Sequence, residues 1–141
     1  MTSNAPDTTS PDAQELDSPA CVMSFNASDT TGAGGVSADI ATIAAMGAHA
    51  LPVVTAIVMR DTAEVFDQHP IDDEVVVEQA RSVLEDLTIS AWKVGFLGNA
   101  ETVGAVAEVL SDYPDVPLVT YLPQLGWMDD EDAAQAYHDA L

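Results

Sequence analysis

Residues 26–39, NASDTTGAGGVSAD, could do chemistry because three glycines and small polar side chains stand between an apolar run and a helical pattern. Glycine allows tight turns, and the N–H groups at a helix N-terminus can bind an anion. A Walker-type phosphate loop also needs a lysine followed by serine or threonine, to neutralise phosphate and hold Mg²⁺. Val36 and Ser37 follow the last glycine here, and the nearest lysine is Lys93. The sequence therefore excludes a Walker-type loop.

Two further interpretations of this glycine turn stay open. A dinucleotide fingerprint, G-x-G-x-x-G, places a pyrophosphate on the helix N-terminus, and Gly32 and Gly34 supply two of its three glycines. Asp61, after the next apolar run, could then bind a ribose. The alternative is a strand-to-helix turn that needs no ligand. An incomplete fingerprint does not decide between the two.

Four strands must position this turn. They are predicted from short apolar runs over residues 21–25, 51–59, 89–96 and 116–121, where β-branched residues suit a pleated surface. Helical patterns separate the runs, which implies parallel strands joined by right-handed crossovers. We predict an α/β, doubly wound, mainly parallel sheet with flanking helices, in a Rossmann-like three-layer domain over residues 21–141.

Four helices are predicted from apolar positions that recur at three and four residues. The first should end at Gly47, and Asn99 should cap the third. The second should begin within residues 70–73 and the fourth within residues 129–132. The expected inward positions are Val36, Ile40, Ile43 and Ala44 in the first helix, Val75, Val76, Ala80, Val83, Leu84 and Leu87 in the second, and Val103, Val106, Ala107 and Leu110 in the third.

The charge of the chain excludes several classes of partner. Its 141 residues include 24 acidic and 3 basic side chains, for a formal net charge of −21. Nucleic acid and anionic membrane both require a positive face, so we expect neither as a partner. The single cysteine, Cys21, suits a reducing compartment, and we expect the cytoplasm. Histidine, cysteine and acidic residues show no metal-ligand spacing, so no metal site is predicted.

The acidic excess also bears on habitat and on the N-terminal segment. Abundant Asp and scarce Lys resemble cytoplasmic proteins of halophiles, and an acidic protein without salt adaptation is the alternative. Residues 1–20 lack the basic and apolar regions of a secretory signal. We expect them to form a disordered acidic tail.

Three segments resemble a known enzyme family. Residues 28–62 begin SDTTGAGGVSADIAT, which is similar to the G-S-D-P-S-G-G-A-G-I-Q-A-D-L-K-T motif of the hydroxymethylpyrimidine/phosphomethylpyrimidine kinases of thiamine biosynthesis, in the ribokinase-like superfamily. Residues 47–56 are similar to the later family motif G-A-x-G-x-x-V-x-T-A, and residues 93–110 are similar to K-I-G-M-L-G, at the right distances. The positions in register in the first segment are Ser28, Asp29, Gly32, Gly35, Ala38, Asp39, Thr42, Gly47, Ala48, Thr55, Ala56 and Thr62.

The resemblance implies a function and a site. Such kinases phosphorylate an aminopyrimidine and then its monophosphate with ATP and Mg²⁺. It implies that Gly32 and Gly35 line the substrate pocket and that Asp39 contacts the pyrimidine, where a carboxylate can accept hydrogen bonds from N–H groups. The alternative for Asp39 is a first-turn acid favoured by the helix dipole. The family's pyrimidine-contacting glutamine is replaced by Arg60, which could instead favour a phosphorylated substrate.

Other departures limit what the resemblance implies. Ala27, Phe96 and Tyr121 also differ from the family pattern, as does Ala41, where the family has lysine. The glycine-rich turn that carries the family's catalytic base and anion hole has no counterpart in residues 111–141, so we assign no catalytic residue. We expect the amino-terminal part of such a kinase, inactive in phosphoryl transfer by itself. The alternative is a non-catalytic pyrimidine-binding or regulatory module. The resemblance, together with an exposed sheet edge, favours a homodimer.

Overall fold

The computed structural model describes residues 18–141. The predicted disordered tail lies outside the described residues except for its last three positions. Within the described part, the chain forms five strands and four helices. In chain order these are β1 (Cys21–Asp29), α1 (Gly35–Ala45), β2 (His49–Arg60), β3 (Val65–Pro70), α2 (Asp73–Leu84), β4 (Ala91–Val94), α3 (Ala100–Ser111), β5 (Leu118–Thr120) and α4 (Glu131–Ala140).

The strands form one sheet in the order β3-β2-β1-β4-β5. β1 pairs in parallel with β2 and β4, and β4 pairs in parallel with β5. Only β3 is antiparallel, to β2. This confirms the doubly wound, mainly parallel sheet. The chain leaves β1 toward β2 on one side and returns to β4 on the other, so the β1–β4 boundary is a topological switch point, where such sheets bind ligands.

The two faces of the sheet differ in chemistry. Met23 and Phe25 of β1 belong to a buried apolar cluster with residues of α2, α3 and α4. Ser24 and Asn26, at the alternate positions, donate hydrogen bonds to Asp39 of α1. The sheet therefore lies between α1 and the other helices, which gives the three layers.

Several predicted helix ends are confirmed. The Asn99 side chain accepts a hydrogen bond from the Thr102 N–H at 3.0 Å, which caps α3. Asp130 caps α4 in the same way, through the Ala133 N–H at 3.0 Å. Gly47 follows the end of α1 with a φ of +84°, the left-handed conformation that glycine adopts without steric strain.

Some strand predictions are wrong. The sequence does not predict β3, because its residues VFDQHP mix polar side chains with a proline and lie at the sheet edge, where no buried face imposes a pattern. β1 and β2 extend beyond the predicted ranges, whereas β4 and β5 are shorter than predicted.

Some predicted inward positions are also wrong. In α1 only Val36 is buried, and Ile40 is 42% exposed. The helix covers polar side chains of β1 and β4, so it has no continuous apolar surface to face. Val75 and Leu87 are exposed as well, and in α3 Val109 is buried while Ala107 is exposed.

None of the helices within residues 18–141 combines the length and the apolar character that crossing a bilayer requires.

Candidate functional site

A cleft of about 320 Å³ opens beyond the carboxyl ends of the central strands. β1 and β4 stay paired as far as Phe25 and Val94 and then separate, so the cleft lies at the topological switch point. Its walls come from the glycine turn, from the ends of β2 and β4, and from the segment after β5. The lining residues are Ala27, Asp29, Gly34, Gly35, Val58, Arg60, Val65, Phe96, Tyr121, Pro123, Gln124 and Trp127.

The glycine turn forms one wall of the cleft. The Asp29 carboxylate accepts hydrogen bonds from the Thr31 N–H at 2.9 Å and the Thr31 hydroxyl at 2.7 Å, and these bonds close the turn. Gly35 has a φ of +64°, and a Cβ there would collide with the Ala27 carbonyl oxygen. Glycine is therefore required at position 35 both for its conformation and for close approach of the backbone to β1.

An aromatic wall stands opposite the turn. Phe96 and Trp127 meet edge to face with ring centroids 5.8 Å apart. Behind them the fully buried Tyr137 stacks on Phe96 at 5.5 Å, and its hydroxyl accepts a hydrogen bond from the Leu97 N–H at 2.9 Å. Burial raises the pKa of the Tyr137 hydroxyl. Helix α4 thus holds the aromatic wall in place. The flat faces of Phe96 and Trp127 suit a planar ligand ring.

Arg60 brings a positive charge to the cleft. Its guanidinium lies 3.8 Å from the buried Asp29 carboxylate, and its Nε donates to the Asp61 carbonyl at 2.9 Å. The Arg60 side chain is 26% exposed. A partly exposed guanidinium at the edge of an apolar cleft can pair with a phosphate or carboxylate group of a ligand.

A polar cluster lies beneath α1, next to the cleft. We call Ser24, Asn26, Asp39 and Lys93 the Asp39 cluster. The Asp39 carboxylate accepts hydrogen bonds from the Ser24 hydroxyl at 2.5 Å, the Asn26 Nδ2 at 3.0 Å and the Lys93 Nζ at 2.9 Å. Burial by itself would raise the pKa of Asp39, but these three bonds and the Lys93 charge together lower it below its ordinary value. Asp39 is therefore a carboxylate with three committed donors.

The structure separates the four predicted site residues into two groups. Gly35 and Arg60 both line the cleft. Gly32 lies in the glycine turn with open space around it, and Asp39 lies in its cluster; neither belongs to the cleft lining.

Four of the five departures from the family pattern come together in space. Ala27, Arg60, Phe96 and Tyr121 come from four separate segments of the sequence, and all of them line the same cleft. The cleft therefore holds most of the departures, whereas Ala41, in α1, does not line it.

Sequence reasoning missed Trp127 and most of the Asp39 cluster. Trp127 stands outside every motif. A signal for the cluster was present in the polar Ser24 and Asn26 of the central strand β1, which alternate with Met23 and Phe25. A buried strand that carries polar residues on one face requires polar partners on that face.

The described part of the chain shows no set of side chains suited to bind ATP and Mg²⁺. Within residues 18–141, no three His, Cys, Asp or Glu side chains converge as metal ligands. The three basic residues of the chain each pair with a carboxylate: Arg60 with Asp29, Arg81 with Asp112, and Lys93 with Asp39. Only Arg60 of these three lines the cleft, so one cation without convergent metal ligands does not fit a triphosphate–metal site, and no phosphoryl-transfer step follows from these residues.

The fold is that of the ribokinase-like kinases. A pyridoxal kinase from Staphylococcus aureus superposes with a TM-score of 0.71 at 24% identity, over 88% of this chain and 45% of that one. A phosphomethylpyrimidine kinase from Clostridium difficile superposes with a TM-score of 0.71 at 26% identity, over 83% of this chain and 52% of that one.

Sequence comparison gives the family. The model of the phosphomethylpyrimidine kinase family matches residues 29–123. A hydroxymethylpyrimidine/phosphomethylpyrimidine kinase from Haemophilus influenzae is 37% identical over 98 residues, which are 70% of this chain and 36% of the relative. The chain belongs to the phosphomethylpyrimidine kinase family, and it spans about a third of this curated relative.

Proposed function

We propose that this chain forms the aminopyrimidine-binding part of a hydroxymethylpyrimidine/phosphomethylpyrimidine kinase of thiamine biosynthesis. The observation that carries the proposal is the cleft at the switch point, because most of its lining residues fall within the segment that the family model matches. Its size and its apolar, aromatic walls suit one small planar ring.

In this proposal the cleft residues have separate roles. Phe96 and Trp127 contact the ring, and Gly35 lets the glycine turn pack closely against β1 to form its wall of the cleft. Arg60 binds the phosphate of a phosphorylated substrate. Gly32 shapes the turn from outside the lining. For Asp39 to contact the pyrimidine, as the resemblance implies, the ligand's N–H groups must replace one of its three present donors.

Phosphoryl transfer is proposed for the kinase as a whole, with ATP and Mg²⁺. The family's catalytic base and anion hole have no counterpart in residues 111–141, and no three His, Cys, Asp or Glu side chains of residues 18–141 converge as metal ligands. We therefore propose that the 141 residues bind the pyrimidine and that further chain is required for catalysis.

A second candidate is a pyrimidine-binding or regulatory module without catalysis. It is favoured by the grouping of Ala27, Arg60, Phe96 and Tyr121 in one cleft. Changes spread by neutral drift have no reason to concentrate on the walls of a ligand site.

Two assays on the chain test these proposals. The first titrates the aminopyrimidine and its monophosphate without nucleotide, and we expect saturable binding. The second adds ATP and Mg²⁺, and we expect no turnover from the 141 residues. Absence of binding for both ligands would remove both candidates, whereas rapid turnover would contradict the need for further chain. If the longer protein binds the pyrimidine but transfers no phosphate, the second candidate replaces the first.

We propose the cellular location from the net charge and the oligomeric state from the exposed surface. The net charge of −21 supports a cytoplasmic protein of a salt-adapted cell. The edge strand β5, in which Leu118 is 48% and Val119 is 65% exposed, supports self-association.

A further inference from the structure

The Asn26 side chain joins both walls of the cleft where β1 and β4 separate. Its Oδ1 accepts hydrogen bonds from the Ala27 N–H at 2.9 Å and the Phe96 N–H at 3.0 Å. Ala27 and Phe96 both line the cleft. One side-chain oxygen therefore binds the backbone of two lining residues that lie 69 positions apart in the sequence.

The hydrogen bonds to Asn26 replace strand pairing beyond the end of the ladder between β1 and β4. The ladder between β1 and β4 ends at Phe25 and Val94, and the register between β1 and β2 shifts just after Asn26. Beyond that point the N–H groups of Ala27 and Phe96 bond to Asn26. Without it these amides would lose their partner, and a buried N–H without a partner is strongly disfavoured.

The other end of the Asn26 amide is also fixed. Its Nδ2 donates to Asp39 at 3.0 Å, and Asp39 is held in turn by Ser24 and Lys93. Asn26 is 7% exposed. A Cβ at Gly95 would collide with the Asn26 side chain, so the absence of a side chain at position 95 provides the space for this amide. The orientation of the amide is thereby determined from three sides.

We infer that Asn26 is a positioning residue for the substrate cleft: it sets the separation of the Ala27 and Phe96 walls and holds that separation through Asp39. The inference rests on the proposed pyrimidine site. Asn26 itself is not among the lining residues, so its effect on the ligand is indirect. The same inference gives Asp39 an indirect role in the site, because Asp39 holds the Asn26 amide, in addition to any contact of Asp39 with the ligand.

The test replaces the amide by an isosteric acid. Asn26→Asp keeps an oxygen for the two N–H groups but places a second carboxylate where Nδ2 now donates to Asp39. The charged groups that face each other are then the new carboxylate at position 26, Asp39 and the cation of Lys93. At neutral pH we expect about a tenfold or larger loss of aminopyrimidine affinity, because two facing carboxylates repel strongly in a buried site. As the pH falls toward about 5, one carboxyl of the pair takes up a proton and affinity should recover.

A matched control separates positioning from general destabilisation. Gln79 likewise uses both ends of its amide, in its case on backbone, accepting from the Val54 N–H at 3.1 Å and donating to the Val54 carbonyl at 2.9 Å. It does not line the cleft. Gln79→Glu should lower the melting temperature but leave the affinity and its pH dependence unchanged.

A second readout is independent of ligand. Amide hydrogen exchange should be at least about tenfold faster at Ala27 and Phe96 in Asn26→Asp than in the parent chain at neutral pH, while core amides of β1 such as Met23 stay protected. Parent-like affinity in Asn26→Asp with unchanged exchange at both amides would overturn the inference. If the parent chain binds no pyrimidine, the proposed function fails by itself. The exchange at Ala27 and Phe96 then still supports or refutes the positioning role of Asn26.

Discussion

At the scale of single residues, the basic side chains of this chain are few and each has a defined neighbour. Arg60 lines the cleft beside Asp29, Lys93 holds Asp39, and Arg81 pairs with Asp112 at the surface. The same side-chain type therefore occurs in a ligand site and in an exposed ion pair. This allows the effect of charge in the cleft to be measured against an internal reference.

Replacing Arg60 by glutamine should alter the choice between substrates. Arg60→Gln removes a fixed cation, and a hydrogen bond to a charged group contributes about 1.5–3 kcal/mol. We expect about a 10- to 100-fold loss of affinity for the pyrimidine monophosphate and little change for the unphosphorylated pyrimidine, measured by calorimetry. Arg81→Gln, in an exposed pair with Asp112, should change neither affinity. An equal loss for both ligands in Arg60→Gln would refute phosphate recognition.

Asp39 should make stability depend on pH in a definite direction. Its pKa in the folded protein lies below the ordinary value of 3.8, so its contribution is complete above that value and is lost as the pH falls through the folded-state pKa. Asp39→Asn should lower the free energy of unfolding by about 1–3 kcal/mol at neutral pH, because charge-assisted hydrogen bonds are lost. The difference in the free energy of unfolding between the parent chain and Asp39→Asn should shrink when denaturant melts are repeated below pH 3.8.

A control for this pH prediction is Asp112→Asn, at the exposed pair with Arg81. An exposed ion pair contributes about 0–1 kcal/mol, so the free energy of unfolding should change little at any pH. A gap between the parent chain and Asp39→Asn that stays constant down to pH values well below 3.8 would contradict the assigned ionisation of Asp39.

At the scale of elements, helix α4 supports the cleft from behind. Tyr137 is fully buried, stacks on Phe96 and accepts the Leu97 N–H through its hydroxyl. The backbone around Phe96 is thus held by Asn26 on one side and by Tyr137 on the other. The aromatic wall depends on a helix that itself contributes no lining residue.

Removing the Tyr137 hydroxyl should loosen this wall. Tyr137→Phe leaves the Leu97 N–H without its acceptor, and a buried unsatisfied donor costs about 1–3 kcal/mol. We expect a lower melting temperature and faster hydrogen exchange at the Leu97 amide. Tyr121→Phe is the matched control, because Tyr121 is 59% exposed and its hydroxyl bonds to no backbone group within residues 18–141. Equal stability of the two variants would show that the Leu97 bond is unimportant.

The sequence predicts elements well where burial imposes a pattern. β2 is predictable because its Val53 and Thr55 are buried, and α3 is predictable because its Val103 and Val106 are buried. β3 is not, because an edge strand that is largely exposed carries no such pattern. The inward face of α1 is predicted wrongly because its partners are polar: Asp39 meets Ser24 and Lys93, which lie 15 and 54 positions away.

The candidate site is predictable only in part, for a similar reason. Gly35 is recognisable because a motif carries it, and its positive φ explains why glycine stands there. Trp127 belongs to no motif, and it reaches the cleft through the irregular segment after β5. Local sequence does not contain the tertiary contacts that bring such a residue to a site.

At the scale of the whole molecule, charge dominates. The chain carries a formal net charge of −21, and its three basic residues all pair with acids. The remaining carboxylates have no cation in the chain to balance them. Self-repulsion should therefore oppose the compact state unless dissolved salt screens it.

Stability should rise steeply with salt. The Debye length falls from about 10 Å at 0.1 M to about 3 Å at 1 M ionic strength, so added KCl should weaken repulsion between exposed carboxylates. We expect the melting temperature to increase by several degrees or more over this range, measured by circular dichroism. A parallel series in an uncharged osmolyte shows how much of the increase comes from solvent exclusion alone. A melting temperature that does not respond to KCl would contradict the account of screened repulsion.

The central claim is that the cleft closed by the glycine turn binds an aminopyrimidine, and a calorimetric titration tests it most directly. The parent chain should show one saturable site for the aminopyrimidine. Gly35→Ala should lose it, because the new Cβ collides with the Ala27 carbonyl oxygen at a φ of +64°. Gly104→Ala should keep it, since a Cβ there meets no atom within 4 Å. Absence of binding in the parent chain, or unchanged binding in a folded Gly35→Ala variant, would contradict the claim.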